Sequence, residues 1–255
     1  MPSILKNVLS SGAINIGATT FTPSTLNPSI LLEAGTDNYT LDPTNISSWN
    51  ATAGSNATQS VSAERPAPIT ITSDPFVQFD ETNKEHLDLN DNFNTILTGD
   101  WTIYYIVKPD TLGVNFQFLF GELYTNPTQS HFYNYFHGDD TMYIQFNVDN
   151  NTAIAQTTTT FSTSNTYIIE LNHDSTAQQM NIYINGVKDT LDVTNDGDTS
   201  ALTPANWSSD RNMYLGARNN NNTDDLWGDN SMGDIIVLNR LLTAQERADL
   251  GTYYV

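Results

Sequence analysis

Apolar and polar residues alternate along most of the chain with a period of two, the spacing of strands that turn one face to a core. In WTIYYIVKP, Trp101, Ile103, Tyr105 and Val107 fall on one side and Thr102, Tyr104, Ile106 and Lys108 on the other. MYIQFNV sets Met142, Ile144, Phe146 and Val148 against Tyr143, Gln145 and Asn147. TYIIELN, MNIYING and the shorter, more buried GDIIVLN repeat the pattern, and FQFLFGEL predicts an aromatic strand that lies deep. Clusters such as PDTLG, NPTQS, HGDD and DNN punctuate these runs as turns. Asn185-Gly186, between MNIYI and VKDTLDV, predicts a tight hairpin, because both central residues of a type I′ turn need positive φ. Helical signals are confined to the C-terminus, where TAQE from Thr243 to Glu246 makes a capping box. Many short strands and one short C-terminal helix predict an all-β fold, a two-sheet antiparallel sandwich of the jelly-roll type. Residues 1–28 mix Ser, Thr, Gly and Pro with isolated Ile and Leu, and read as an extended arm for anchoring or assembly. Residues 29–255 read as the sandwich domain, with no internal repeat and no linker to divide them.

Composition narrows the partners. The 255 residues carry 29 acidic and nine basic side chains, a formal charge of -20, with the basic ones scattered. Nucleic acid is excluded as a partner, since phosphate binding requires concentrated Lys and Arg, and an anionic membrane surface would repel the protein. With no cysteine there are no disulfides and no thiolate metal sites. The N-terminus, MPSILKNVLSSGAINIG, lacks the sustained apolar run of a secretory signal, so export by that route is not expected.

From about Pro28 onward the order of motifs is more specific. ISSWNATAGSNATQ, PFVQFDETNKEHLDL, GDWTIYYIVKPD, YIIELNHDSTAQQMNIYINGV and MYLGARNNNNTDDLWGDNSMGDIIVLNRLLTAQE follow one another in this chain. Together they resemble the laminin-G-like, concanavalin A-like lectin/glucanase superfamily. In the first stretch Ala53 stands where Ser is common, and in the second Glu81 and His86 replace a Gly and a Tyr. The resemblance implies a concanavalin A-like jelly roll with a curved face. It implies no single activity, since lectins, adhesion modules, glycosidases and structural pieces share the fold.

Catalysis is not expected. Glucanases of this superfamily carry Glu-x-Asp-x-x-Glu on one strand, and no glutamate here stands in that spacing. Glu81 and Glu85 read as a surface turn, and Glu122 and Glu170 as outward-facing solvated carboxylates. Among the histidines, His131 and His137 are six apart and share a side of any regular strand. Metal ligation would need a third donor, and hydrogen-bonded or aromatic-packed histidines are the simpler account. The aromatic runs YYIV, FQFLF and FYNYF read as core and sheet-face packing, with Tyr133 and Tyr135 the exceptions if they face outward. TTTTF, from Thr157 to Phe161, reads as an edge or surface strand.

The stretch ARNNNNTDDLWGD, from Ala217 to Asp229, reads as a variable rim loop and carries two candidate chemistries. Asn222, Asp224, Asp225 and Asp229 offer calcium the hard oxygens it needs, and Asp196 and Asp198 offer a smaller set; the alternative is a solvated turn. Trp227 would stack on a sugar ring while Asn220, Asn222 and Arg218 take up its polar groups, or it would fold back and close the core edge.

Modules of this kind without export signals resemble accessory virion proteins of tailed bacteriophages. The expectation is a non-enzymatic virion-surface protein, a capsid decoration or a tail-associated piece. The arm would assemble with other virion proteins or with itself, and the rim loops would contact host glycans. A secreted or cell-surface bacterial carbohydrate-binding or adhesion module is the alternative, and a glycoside hydrolase with displaced acids a second.

Overall fold

A computed structural model describes residues 21–114, 116–123, 130–220 and 223–254. Two sheets face each other. The first runs in the order Val187–Lys188, Gln179–Ile184, Tyr167–Asp174, Trp101–Pro109, Asn230–Leu238, Asp74–Phe79 and Ala67–Ile71, with Ile30–Leu32 beside the second half of Asn230–Leu238. The second runs Leu191–Asp196, Asn151–Thr157, Met142–Val148, His131–Phe136, Gln117–Leu123, Tyr214–Leu215, Leu87–Asp88, Ala57–Thr58, Ile46–Trp49 and Tyr39–Leu41. Neighbours along both orders are antiparallel, as a sandwich without crossover helices requires. The expected all-β jelly roll with one C-terminal helix is the fold observed.

The alternation read from WTIYYIVKP holds residue by residue. Trp101, Ile103, Tyr105 and Val107 point into the space between the sheets and pack in one core with Phe120, Phe132, Phe136, Ile144 and Phe146. Tyr104 and Ile106 point the other way into a second cluster with Phe76, Ile236 and Leu238, roofed by Leu26, Leu242, Leu250 and Tyr254. The central strands of the first sheet are therefore buried on both faces. That is why Asn230–Leu238, longer than its apolar run, is buried at all nine positions. Burying one such aliphatic or aromatic side chain contributes about 1.5–3 kcal/mol. At the bulge between Met232 and Ile235, the Asp234 carboxylate accepts from Ala34 N at 2.6 Å and from the Tyr254 hydroxyl at 2.9 Å, which ties the C-terminus to the sheet.

The local signals behave as expected. Asn185 and Gly186 take φ of 52° and 79°, and Thr243 and Glu246 complete both halves of the capping box on helix Ala244–Tyr253. TTTTF departs from its reading. The strand ends at Thr157, the next three residues turn, and Phe161 is buried against Phe136 and Tyr167. Of the arm, residues 1–20 lie outside the described residues. Its last part packs on the domain: Pro23–Leu26 forms a 3-10 turn that buries Leu26, and Phe21 meets Tyr253 at 6.4 Å. Among the described residues no helix is long and apolar enough to cross a membrane.

Candidate functional site

ARNNNNTDDLWGD is a hairpin and not an irregular loop: Ala217–Asn220 pairs antiparallel with Thr223–Trp227. Its first strand also lies parallel to Gln117–Leu123, with Asn219 beside Glu122. A run dense in asparagine gives no apolar alternation, so the pairing was invisible to a periodicity argument. The hairpin lays Arg218 across the outer face of the second sheet. A Cβ on Gly121 would sit 3.1 Å from Arg218 Cα and 3.3 Å from its Cβ and Cγ, so glycine there lets the arginine cross closely. The Arg218 guanidinium carbon lies 5.4 Å from the Phe118 ring centre and 6.0 Å from that of Tyr133, the reach of a cation–π contact.

The surface beneath it is aromatic. Tyr135 stands opposite Phe118 on one side and Tyr143 on the other, and Tyr143 stands opposite Gln156. Phe118 and Tyr135 stack at 5.2 Å and 29°, and Tyr135 and Tyr143 at 5.3 Å and 15°. Phe116 continues the row on Phe118 at 6.2 Å and 24°. It does so at a φ of 64°, a costly conformation for an aromatic residue, with 38% of its surface exposed. Parallel rings at this spacing cover one another's faces: Phe118 and Tyr135 are buried in the row, and Tyr143 and Phe116 at its two ends stay partly accessible. A second stack, His131 on Tyr133 at 5.4 Å and 7°, flanks it, and Gln145 Nε2 lies 3.3 Å from His131 Nε2.

Burial pushes the phenols of Tyr133, Tyr135 and Tyr143 above their ordinary value, so all three remain hydrogen-bond donors at neutral pH. Burial, with the Arg218 charge, pulls the His131 imidazole down to about 4 and keeps it neutral. The face thus combines one guanidinium, the phenols of half-buried Tyr133 and Tyr143 beside buried Tyr135, and side-chain amides. It can hold a polar ligand by hydrogen bonds and edge contacts.

FQFLF and FYNYF, read together as packing, are divided between the two faces. Leu119, Phe120, Phe132 and Phe136 point into the core, while Phe118, Tyr133 and Tyr135 belong to the outer rings. A register shift between Asn134 and Tyr135 makes the division hard to count along the chain. Asn134 faces inward, where its Oδ1 accepts from the Tyr105 hydroxyl at 2.6 Å and its Nδ2 donates to Tyr143 O at 2.8 Å.

The residues singled out in the hairpin separate. Arg218 reaches the tyrosine face. Trp227 is half-buried and holds the Lys84 ammonium 4.8 Å from its ring centre. Asp229 is half-buried at the rim, where its carboxylate accepts from the Thr111 hydroxyl and its carbonyl accepts from Asp110 N and Thr111 N. Asn222 and the side chains of Asn220, Asp224 and Asp225 lie outside the described residues. Among the described residues no group of three or more His, Cys, Asp and Glu side chains is placed to hold a metal. Asp196 and Asp198 accept from backbone amides two residues on and close their own turn.

Glu122 and Glu170, expected to be solvated, are both buried, and they sit in different sheets. Glu122 accepts from the Ser209 hydroxyl at 2.8 Å, and burial raises its carboxyl to about 8 despite that bond and nearby Arg211. Glu170 is paired with Arg247. Nothing local marks either burial in the sequence, because what covers each comes from 77 to 87 residues away. The Glu81–Asn83 turn is as expected, but Glu85 folds beneath it and burial lifts its carboxyl to about 7. His86 stacks on Tyr214 at 4.8 Å and His173 on Trp101 at 6.0 Å, in keeping with aromatic-packed histidines.

Comparison with known proteins places this architecture. No curated protein sequence matches the chain. Solved structures that resemble it include the Trypanosoma rangeli sialidase with 2,3-difluorosialic acid, at a TM-score of 0.53 and 12% identity, over 98% of this chain and 36% of that one. NanB sialidase from Streptococcus pneumoniae gives a TM-score of 0.51 at 14% identity, over 67% of this chain and 26% of that one. The CBM40 of a Ruminococcus gnavus sialidase gives 0.50 at 14%, over 64% of this chain and 90% of that one. This chain therefore spans only part of the two sialidases but nearly all of the CBM40, and at these identities it shares their fold alone. A family model described as the concanavalin A-like lectin/glucanases superfamily matches residues 81–246, well over half of the sequence. The chain belongs to the concanavalin A-like lectin/glucanases superfamily.

Proposed function

We propose that the protein is a non-catalytic carbohydrate-binding module of an external surface, a virion surface in the reading from the sequence. Its binding site is the outer face of the second sheet, not the Trp227 rim. The observation that carries this reading is Arg218 laid over the rings of Phe118 and Tyr133, in a cluster whose half-buried Tyr133 and Tyr143 and exposed Phe116 form its accessible part. An exposed Phe116 held at positive φ is the kind of backbone strain that clusters at ligand sites. Sugars present hydroxyls and C–H edges, which phenols, amides and a guanidinium match. A CBM40 among the fold neighbours is in keeping with it.

A glycan array read with wild-type protein and three single variants tests the proposal. Arg218→Ala and Tyr143→Ala are each expected to weaken binding at least tenfold, about 1.4 kcal/mol. Trp227→Ala is expected to leave it within about twofold, well under that step. Loss of binding in Trp227→Ala with retention in the other two would return the site to the rim.

A further inference from the structure

Away from the tyrosine face, the sandwich carries a cup of about 270 Å³ formed by the turn at Thr98–Gly99, the hairpin tip at Ser175–Gln178 and the segment from Thr199 to Ala205. Its floor is built. His173 is 1% exposed, and its Nδ1 lies 2.7 Å from Gly99 O, which can only accept, so Nδ1 carries the proton. Nε2 must then accept from the Thr199 hydroxyl at 3.0 Å, and Thr199, 2% exposed, keeps its oxygen lone pairs for whatever enters. Burial also lowers the His173 pKa and favours the uncharged ring.

The walls divide into two chemistries. Leu202, Pro204 and Ala205 make an apolar side. Thr98, Gln178 and Thr203 bring two hydroxyls and an amide, and Gln178 holds its place at a φ of 54°. The Ser175 hydroxyl is already donated to Asp100 at 2.6 Å, which leaves it an acceptor. The nearby carboxylates serve the turns: Asp100 accepts from Ser175, and Asp174 from the amides of Thr176 and Ala177. Among the described residues no Asp, Glu, Lys or Arg lines the cup, although the protein carries a formal charge of -20.

We propose that this cup is a second binding site, separate from the tyrosine face, for one neutral polyhydroxylated ring of about monosaccharide size. The volume is just under the roughly 300–1,000 Å³ that drug-sized ligands occupy, so it suits a single ring rather than a chain. Hydroxyls and an amide exchange donors and acceptors with a polyol, the His173 imidazole, with both nitrogens bonded, holds the Thr199 hydroxyl in place, and the Leu202–Pro204–Ala205 side takes the ring's C–H surface. A charged sugar would lose its hydration without meeting an opposite charge.

The test is an amide-resolved NMR titration of the whole chain with D-galactose, N-acetyl-D-glucosamine, myo-inositol and, as the charged comparator, D-glucuronate. At least one neutral probe is expected to shift Gly99, Gln178, Thr199 and Thr203 saturably, with a Kd in the millimolar range, about -4 kcal/mol. Glucuronate is expected to bind at least about tenfold more weakly, a step of 1.4 kcal/mol. Ala205→Trp, at an exposed position, should fill the cup and abolish the shifts, and Gln178→Ala should weaken them severalfold. Both variants leave the tyrosine face untouched, so failure here is distinguishable from failure there. No saturable shift with any neutral probe, shifts confined to the His131–Phe136 and Met142–Val148 strands, or undiminished shifts in Ala205→Trp would each overturn the proposal.

Discussion

Arg247→Ala is expected to cost about 3–5 kcal/mol of folding stability, the largest single-residue loss among the charged positions. Arg247 reaches from the C-terminal helix to Glu170 on the first sheet, with Nε 2.5 Å and Nη2 2.6 Å from the two carboxylate oxygens. Glu170 is 2% exposed and, among the described residues, receives one further bond, from Asn172 Nδ2 at 2.8 Å. The guanidinium also lies 4.1 Å from the Tyr183 ring centre. Removing it strands a buried carboxylate and takes a main anchor from a helix whose only fully buried residue is Leu250. Urea unfolding of Arg247→Ala and of the double variant Arg247→Met with Glu170→Leu separates the two causes. The double variant is expected within about 1 kcal/mol of wild type, since an apolar pair needs no compensating charge. A single-variant loss below about 1 kcal/mol would mean the pair acts as an ordinary surface ion pair.

Stability is expected to fall between pH 6.5 and 9, and Glu122→Gln to remove most of that fall. Burial raises the Glu122 carboxyl to about 8 in the folded protein, against about 4.3 in an unfolded chain. Between those values the folded state holds a proton that the unfolded state has released, so stability declines as pH rises. The full span is on the order of 4–5 kcal/mol, complete above the folded value. Glu85, raised to about 7, acts in the same direction.

The histidines oppose this, but only at lower pH. His131 and His173 are depressed by burial, so they add stability with rising pH up to about their unfolded value of 6.5 and are silent above it. Glu246, held near 2 mainly by Arg240, has given its full contribution by about pH 5. The window above 6.5 therefore isolates the raised glutamates. Urea midpoints at pH 6.5, 7.5, 8.5 and 9 provide the check, and a flat wild-type profile, or an equal slope in Glu122→Gln, would show that Glu122 ionises without cost.

The fold was legible because its signals are local. Alternation in WTIYYIVKP names both faces of a central strand, and the Asn185-Gly186 and Thr243–Glu246 signatures act within four residues. The candidate site was legible only in fragments. Arg218 belonged to the right hairpin, and Tyr133 and Tyr135 were the aromatics that an outward face would make exceptional. Trp227, the most conspicuous residue of that hairpin, meets Lys84 from a turn more than 140 positions earlier, a contact its own neighbours do not announce. The register shift at Asn134/Tyr135 hid how FYNYF divides between core and surface.

What the residues determined alone is therefore the layered β architecture, the hairpin at Asn185, the start of the helix and the absence of thiol chemistry. The last is composition alone; the others depend on backbone preferences and spacings that near neighbours settle. Tertiary structure decided which aromatic rings stack outside the main core, where Arg218 lies, and that Glu122 and Glu170 are buried. Those outcomes follow from which distant strands pair and in what register, and a side chain's solvent is set by segments that fold against it from elsewhere in the chain.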